Sequence, residues 1–116
     1  FTTKLLTDHQ YPGTIGFDAH PYRNEADPWD FVERNMRTYK IMKEKVRQFN
    51  ENKEIQDLLG EIHGAHPELR GLTGKYSKDA AQKLKDMTFD PQALAARKLP
   101  YERLDQLVTE LLLGVL

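Results

Sequence analysis

The stretch Asp27-Pro28-Trp29-Asp30-Phe31-Val32 opens the strongest local pattern in this sequence. Aspartate is a preferred N-cap residue, and proline at the first helical position costs no hydrogen bond. Behind this start, apolar residues recur at steps of three and four: Trp29, Val32, Met36, Tyr39, Met42 (or Lys43 in its place), Val46 and Phe49. The spacing predicts one amphipathic helix from Pro28 to about Asn50, with its apolar stripe packed into a core.

Two further features of this helix follow from its other faces. Phe31 and Ile41 lie off the stripe and predict a second contact surface, against another part of the fold or another subunit. The charged cluster from Lys40 to Arg47 is typical of a solvated helix face. If Met36 lies in the core, Met36→Asp should unfold the chain, because an unpaired buried charge is costly.

Upstream of the helix, the alternation in Thr14–Ala19 predicts a short strand that Pro21 ends. Asp18 lies near the end of this strand, where a stiff backbone can position a side chain toward an open loop. On this segment alone, Asp18 is more simply interpreted as a surface residue. A lone strand leaves its backbone groups unpaired, so it needs partner strands that this sequence does not supply.

Four shorter helices are predicted after Asn50, from capping residues and apolar repeats. They run from Lys53 to His63 with Gly64 as the C-terminal cap, from the cap Ser77 to Met87, from the cap Asp90 to about Lys98, and from Pro100 to the stop at Gly114. The segment from Phe1 to Leu6 fits either a helix end or a short strand. The fold class is therefore mainly α, with one short strand at most.

Composition narrows the possible functions. With 116 residues the chain holds one domain at most, and its net charge of -1 gives no general attraction to nucleic acid or anionic membranes. The absence of cysteine excludes disulfides and thiolate metal sites. It leaves the redox compartment undecided, with the reducing cytosol as the easier assumption and a cytoplasmic location as the expectation. No apolar run approaches the ~18 residues of a membrane span, and no signal peptide is recognised.

Histidines offer two alternative metal sites. His63 and His66 could share one metal if their helix continued, but Gly64 and Pro67 argue against continuation. We therefore expect two loop histidines in water. Asp18 with His20 could hold a stray cation, although two ligands make a weak site.

The order of the motifs resembles that of the xylose isomerases over nearly the whole chain. The Phe17-Asp18 strand end, the following proline and arginine, and the Asp27-Pro28-Trp29 helix with Met36-Arg37 and Lys43-Glu44 resemble the last barrel strand and helix of that family. Glu54 to Leu59 resembles the segment that follows. The elements Phe89-Asp90, Ala95-Ala96-Arg97, Tyr101 to Leu107 and Leu111 to Gly114 are similar to the C-terminal arm of the shorter, actinobacterial-type enzymes.

The resemblance implies a fold: a C-terminal fragment of a (β/α)8 TIM barrel plus its helical C-terminal arm. Residues 1–50 would be the last barrel strand and long helix, and residues 51–116 the arm, as a single structural unit. The family assembles as tetramers in which this arm embraces a neighbouring subunit. For the fragment alone we expect a homo-oligomer, a dimer in the first instance.

The resemblance also implies a reaction. The family converts D-xylose to D-xylulose by a hydride shift, with two divalent cations that are Mg²⁺, Mn²⁺ or Co²⁺. Asp18 matches the family's last metal-ligand aspartate, whereas no catalytic residue of the family falls within this chain. His20 stands where many relatives carry a lysine, and no catalytic role is assigned to it. We expect weak or absent metal binding, no sugar binding and no activity from the chain alone.

Three classes of function remain open on the sequence. The first is a fragment of a sugar isomerase that works only when the barrel is complete. The second is a free-standing helical oligomerisation module without catalysis. The third is an independent small metal-binding protein, which the single carboxylate makes the weakest of the three.

Overall fold

The computed structural model describes residues 1–18, 20–72 and 77–116. These residues contain no strand and six α-helices: α1 (Thr2–Asp8), α2 (Pro28–Glu51), α3 (Lys53–Gly64), α4 (Lys78–Asp86), α5 (Pro91–Ala96) and α6 (Tyr101–Leu113). A 3-10 turn, Pro67–Leu69, lies between α3 and α4. The predicted mainly α fold class is confirmed. The chain divides into two units, Phe1–Glu51 and Asn52–Leu116.

The first unit is built on α2, which begins as the sequence predicts. The Asp27 carboxylate accepts a hydrogen bond from the backbone N–H of Trp29 at 2.9 Å, which satisfies one of the free donors of the first turn. Helix α1 packs against the other end of α2. There Lys4 donates to the Asn50 side chain at 3.0 Å, and Asn50 donates to Asp8 at 2.9 Å.

The apolar stripe of α2 is only partly covered. Val46 is buried, whereas Trp29 is 74% exposed and Met36 is 50% exposed. Val32 and Met42 are exposed as well. The prediction that the whole stripe packs a core is therefore wrong, because α1 is a seven-residue helix and reaches only the C-terminal turns. Met36→Asp is no longer expected to unfold the chain.

The segment before α2 also differs from the prediction. Thr14 to Asp18 forms no strand, and Ala19 lies outside the described residues. The physical reason is that an isolated strand has no neighbouring strand with which its backbone N–H and C=O groups could form hydrogen bonds. The segment is instead fixed by packing, since the Phe17 ring meets the Tyr39 ring edge-on with centroids 5.9 Å apart.

The second unit has a small core between α3 and α6. Ile55 of α3 and Leu107 of α6 are fully buried, and Ile62, Leu111 and Ala80 are nearly so. At the edge of this core, the Arg103 guanidinium donates twice to one oxygen of Glu54, at 2.9 and 2.7 Å. The apolar periodicity of α3 and α6 thus predicts their packing correctly.

The caps of the second unit are mostly as predicted. The Ser77 hydroxyl accepts from the Ala80 N–H at 3.1 Å, Asp90 accepts from the Gln92 N–H at 3.0 Å, and Gly114 ends α6 in a left-handed conformation with φ 79°. Three boundaries differ. Helix α3 includes Gly64 and is capped by Ala65, and α4 ends one residue early, at Asp86. Helix α5 ends at Ala96, because Lys98 has a positive φ of 50° that no helix continues.

Candidate functional site

The predicted metal ligand Asp18 lies on an open loop. Its side chain is fully exposed, and so, very nearly, is that of His20. The His20 Nε2 atom lies 3.7 Å from the Asp18 Oδ1 atom, which is beyond hydrogen-bond distance. The preceding residue, Phe17, rests on Tyr39 of α2. The backbone that carries Asp18 is therefore anchored to α2, while its carboxylate is open to solvent and able to take a ligand.

Whether these residues fit a divalent cation depends on how many oxygen ligands they supply. Within residues 1–18, 20–72 and 77–116, no group of three or more histidines and carboxylates could hold a metal ion. Hard cations such as Mg²⁺ require several oxygen ligands, of which Asp18 could supply one. The described chain therefore does not fit a complete metal site, and the assignment of Asp18 as one ligand stays a prediction.

A second cluster, which sequence reasoning missed, lies in the other unit. It consists of His66, Glu68, Arg97 and Tyr101, and we refer to it as the His66 cluster. Arg97 Nη1 donates to the backbone carbonyl of Ala65 at 2.8 Å and to Glu68 Oε1 at 3.0 Å. His66 Nδ1 lies 3.1 Å from Glu68 Oε1, and its Nε2 lies 3.0 Å from the Tyr101 hydroxyl. The expectation that His66 stands in water is thus wrong, since its side chain is only 13% exposed.

The charges of this cluster are matched. The pKa of Glu68 is lowered to about 2 by a hydrogen bond from its own backbone N–H, and then by His66 and Arg97. Glu68 is therefore ionised at neutral pH and offsets the Arg97 charge. The Arg97 Nη1 atom also lies 2.8 Å from His66 Nδ1, so the histidine tautomer decides whether Nδ1 accepts from Arg97 or donates to Glu68. In either case the cluster ties the turn after α3 to the end of α5 and the start of α6.

An open depression of about 710 Å³ lies beside the His66 cluster. Its walls are largely apolar and include Ile62, Leu69, Phe89 and Leu94, with His63 and Arg70 at the polar side. Apolar walls with a few polar groups are the usual lining of small-molecule sites in proteins. No sequence signal could have found this arrangement, because Arg97 and His66 are 31 residues apart and meet only through helix packing.

None of the helices in the described part of the chain is both long enough and apolar enough to span a membrane. No family model matches the chain. The chain is 39% identical to the xylose isomerase of Thermus caldophilus over 113 residues, which are 96% of this chain and 29% of that enzyme. It is also 39% identical to the xylose isomerase of Thermus thermophilus over 117 residues, or 99% of this chain and 30% of that enzyme.

The chain thus spans about three-tenths of the length of the curated relatives that it matches. That share is consistent with the C-terminal portion that its motifs resemble. The resemblance is therefore confirmed: the chain is a relative of the xylose isomerases and corresponds to a part of them.

Proposed function

We propose that this chain forms the C-terminal portion of a metal-dependent aldose–ketose isomerase, which converts D-xylose to D-xylulose when the barrel is complete. The observation that supports the proposal is the 39% identity to two Thermus xylose isomerases over 96% and 99% of the chain. The motif order at the Phe17-Asp18 segment and at the capped helix α2 agrees with it. A cytoplasmic location, the easier assumption for a chain whose composition leaves the redox compartment undecided, is part of the proposal.

In this proposal the chain contributes one metal ligand and its support. Asp18 offers a carboxylate oxygen, the ligand type that Mg²⁺, Mn²⁺ and Co²⁺ accept. When bound, such cations polarise sugar oxygens and lower the pKa of a bound water. The Phe17–Tyr39 ring contact positions the backbone next to Asp18 against α2. His20 is assigned no role in proton transfer, and no other residue of this chain is assigned a catalytic one.

The test uses a chimera in which this chain replaces the matching portion of the Thermus thermophilus xylose isomerase. Conversion of D-xylose to D-xylulose is measured with Mg²⁺, Mn²⁺ and Co²⁺ in turn. We expect the chimera to be active and its Asp18→Asn variant to lose at least about 10- to 100-fold, since a direct ligand should matter no less than an outer partner. Asp30→Asn, at an exposed aspartate of α2, is the matched control and should retain activity.

Each part of the proposal fails on a different result. Isomerisation by the 116-residue chain alone would contradict the fragment interpretation, because a cation held by one carboxylate stays hydrated and orients no sugar. Full activity of the Asp18→Asn chimera would instead remove Asp18 from the metal site. Equal losses in the Asp18 and Asp30 variants would show that the fold, not the ligand, had changed.

A second candidate function is that of a helical oligomerisation module without catalysis. It is favoured by the apolar side chains that α6 leaves exposed at its end, Leu112 at 56% and Leu113 at 73%. In the isomerase proposal, the same arm mediates subunit assembly of a tetramer. An inactive chimera that still assembles as tetramers would favour the module, whereas an active chimera favours the isomerase.

A further inference from the structure

Helix α2 exposes apolar side chains on two different sides. Met36 and Ile41 are 50% and 49% exposed, and the five helical steps between them place them about 140° apart around the helix axis. The positions three and four residues from Ile41 are all polar: Arg37, Thr38, Glu44 and Lys45. Ile41 is therefore a single apolar side chain among polar neighbours, which is ordinary on a protein surface.

The side that holds Met36 is different, because its apolar residues are contiguous. Trp29, Val32 and Met36 follow one another at steps of three and four, and we refer to them as the Trp29 face. Trp29 is 74% exposed and Val32 is 43% exposed. The Trp29 indole N–H has no acceptor among the described residues, so a surface that covers this face must supply one. A contiguous apolar patch of this kind marks a contact site.

The Trp29 face adjoins the part of α2 that the first unit does cover. The Phe17 ring lies on Tyr39, which follows Met36 by three residues. The segment Thr14 to Asp18 therefore lies beside the end of the Trp29 face. Among the described residues, the backbone of this segment forms no hydrogen bond. The first unit thus leaves an apolar face and a run of backbone donors and acceptors open to water next to each other.

A completed barrel would meet both needs at once. About seven-tenths of each Thermus enzyme lies outside the match with this chain. In a (β/α)8 barrel every strand has a neighbour on each side, and the helices pack around the strands as an outer ring. The rest of such a barrel therefore brings strands and apolar cover to the same place. The second unit has no such need, since Ile55 and Leu107 already form its buried core.

We propose that the Trp29 face is the surface of this chain against which the rest of the barrel packs, and that the first unit completes its apolar core only there. This inference rests on the proposed function, because it takes the chain to be part of an isomerase barrel. In the completed protein the Trp29 face is buried, while the side of α2 that holds Ile41 stays open.

The test compares the 116-residue chain with the chimera described above. The chain has no cysteine, so Met36→Cys and Ile41→Cys each introduce one thiol, at positions of matched exposure on one helix. Reaction with a small maleimide is followed by mass spectrometry of the peptide that contains the thiol. In the 116-residue chain the two thiols should react at similar rates. In the chimera the thiol at position 36 should react at least about tenfold more slowly, and that at position 41 should stay within about twofold, because a buried group reacts only through local opening.

A second variant measures what the packing contributes to stability. Trp29→Ala should lower the melting temperature of the chimera by several degrees, since it removes an aromatic side chain from a packed surface. In the 116-residue chain the same change should leave the urea midpoint nearly unchanged, because the ring is already 74% exposed. The control is Tyr22→Ala, at an aromatic residue that is 78% exposed and lies outside α2, and it should alter neither measurement.

The labelling result and the activity of the chimera separate this inference from the proposed function. Protection of position 36 in an inactive chimera would support the packing and count against the isomerase. An active chimera in which position 36 reacts as fast as in the chain alone would overturn the packing and leave the proposed function standing. Equal protection of positions 36 and 41 would also overturn it, since the Trp29 face would not then be distinguished from the Ile41 side. A chimera that does not fold would overturn it too, because a face that fits the barrel should complete it.

Discussion

The two units of the chain differ in how far their apolar side chains are buried. In Asn52–Leu116 the apolar repeats of α3 and α6 meet, and Ile55 and Leu107 are fully buried. In Phe1–Glu51 the longer and more regular stripe of α2 has one buried member, Val46, among the described residues. The unit with the stronger sequence pattern is therefore the one with the smaller core.

This difference separates two kinds of information in an amphipathic pattern. Period and caps determine that a helix forms and which of its faces is apolar. They do not determine whether the same unit supplies a second surface to cover that face. Helix α6 has 13 residues and packs against α3, whereas α1 has seven residues and covers only the last turns of α2. Whether an apolar helix face is buried therefore depends on a second element that packs against it, and not on the apolar pattern of the helix alone.

The largest expected effect tests this contrast directly. Leu107→Ala in the second unit should lower the free energy of unfolding by about 2–5 kcal/mol, since it removes a fully buried side chain and leaves a cavity. Met36→Ala in α2 should cost less than about 1 kcal/mol, because half of that side chain is already in water. Urea titration monitored by circular dichroism measures both.

The matched control for this pair is Met42→Ala, which lies on the same helix as Met36 and is 40% exposed. It should behave like Met36→Ala. If either methionine variant cost as much as Leu107→Ala at low protein concentration, the face of α2 would be covered after all, and the contrast between the units would disappear.

The next effect is the loss of a helix N-cap, and it should be equal in the two units because a cap depends only on a few adjacent residues. Asp27→Ala removes the acceptor of the Trp29 N–H, and Ser77→Ala removes the acceptor of the Ala80 N–H. Each should cost about 1 kcal/mol, while Asp27→Asn and Ser77→Thr, which keep an acceptor oxygen, should cost much less. Helicity and the urea midpoint measure the loss. A clear difference between the Asp27 and Ser77 results would show that tertiary contacts, not the caps, hold one of these helix ends.

These caps also show how far the sequence alone could predict the structure. Asp27, Ser77, Asp90 and Gly114 act where the sequence predicts, because capping depends on a few adjacent residues. The strand at Thr14–Ala19 is absent over Thr14 to Asp18, since strand formation needs partners that a local pattern does not reveal. Ala19 itself lies outside the described residues.

The two candidate sites also differ in whether the sequence alone could predict them. Asp18 is identified through a resemblance in motif order, and its role in a metal site stays a prediction. The His66 cluster could not be predicted, because its four members come from the turn after α3, the end of α5 and the start of α6. Only the packing of those helices brings their side chains together. Sites made within one element are visible in a sequence, whereas sites assembled between elements are not.

The smallest expected effect concerns the pH dependence of the second unit. The pKa of Glu68 falls from its usual value of 4.5 to about 2 in the folded chain. The unfolded chain therefore binds a proton at Glu68 at a higher pH than the folded chain does, so stability due to Glu68 is fully present above about pH 4.5. It is lost progressively as the pH falls from about 4.5 toward 2.

Glu68→Gln should consequently be less stable than the original chain at about pH 6, and the difference in their urea midpoints should shrink between about pH 4.5 and 2. The control is Glu61→Gln, at an exposed carboxylate of α3, which should show a small and constant difference. All other carboxylates are present in both the variant and the original chain, so their contributions to the pH dependence cancel in the difference between the two urea midpoints. A Glu68→Gln difference that stayed constant down to about pH 2 would mean that the carboxylate is not held by its backbone N–H, His66 and Arg97. The His66 cluster would then be a set of near neighbours that does not stabilise the turn after α3.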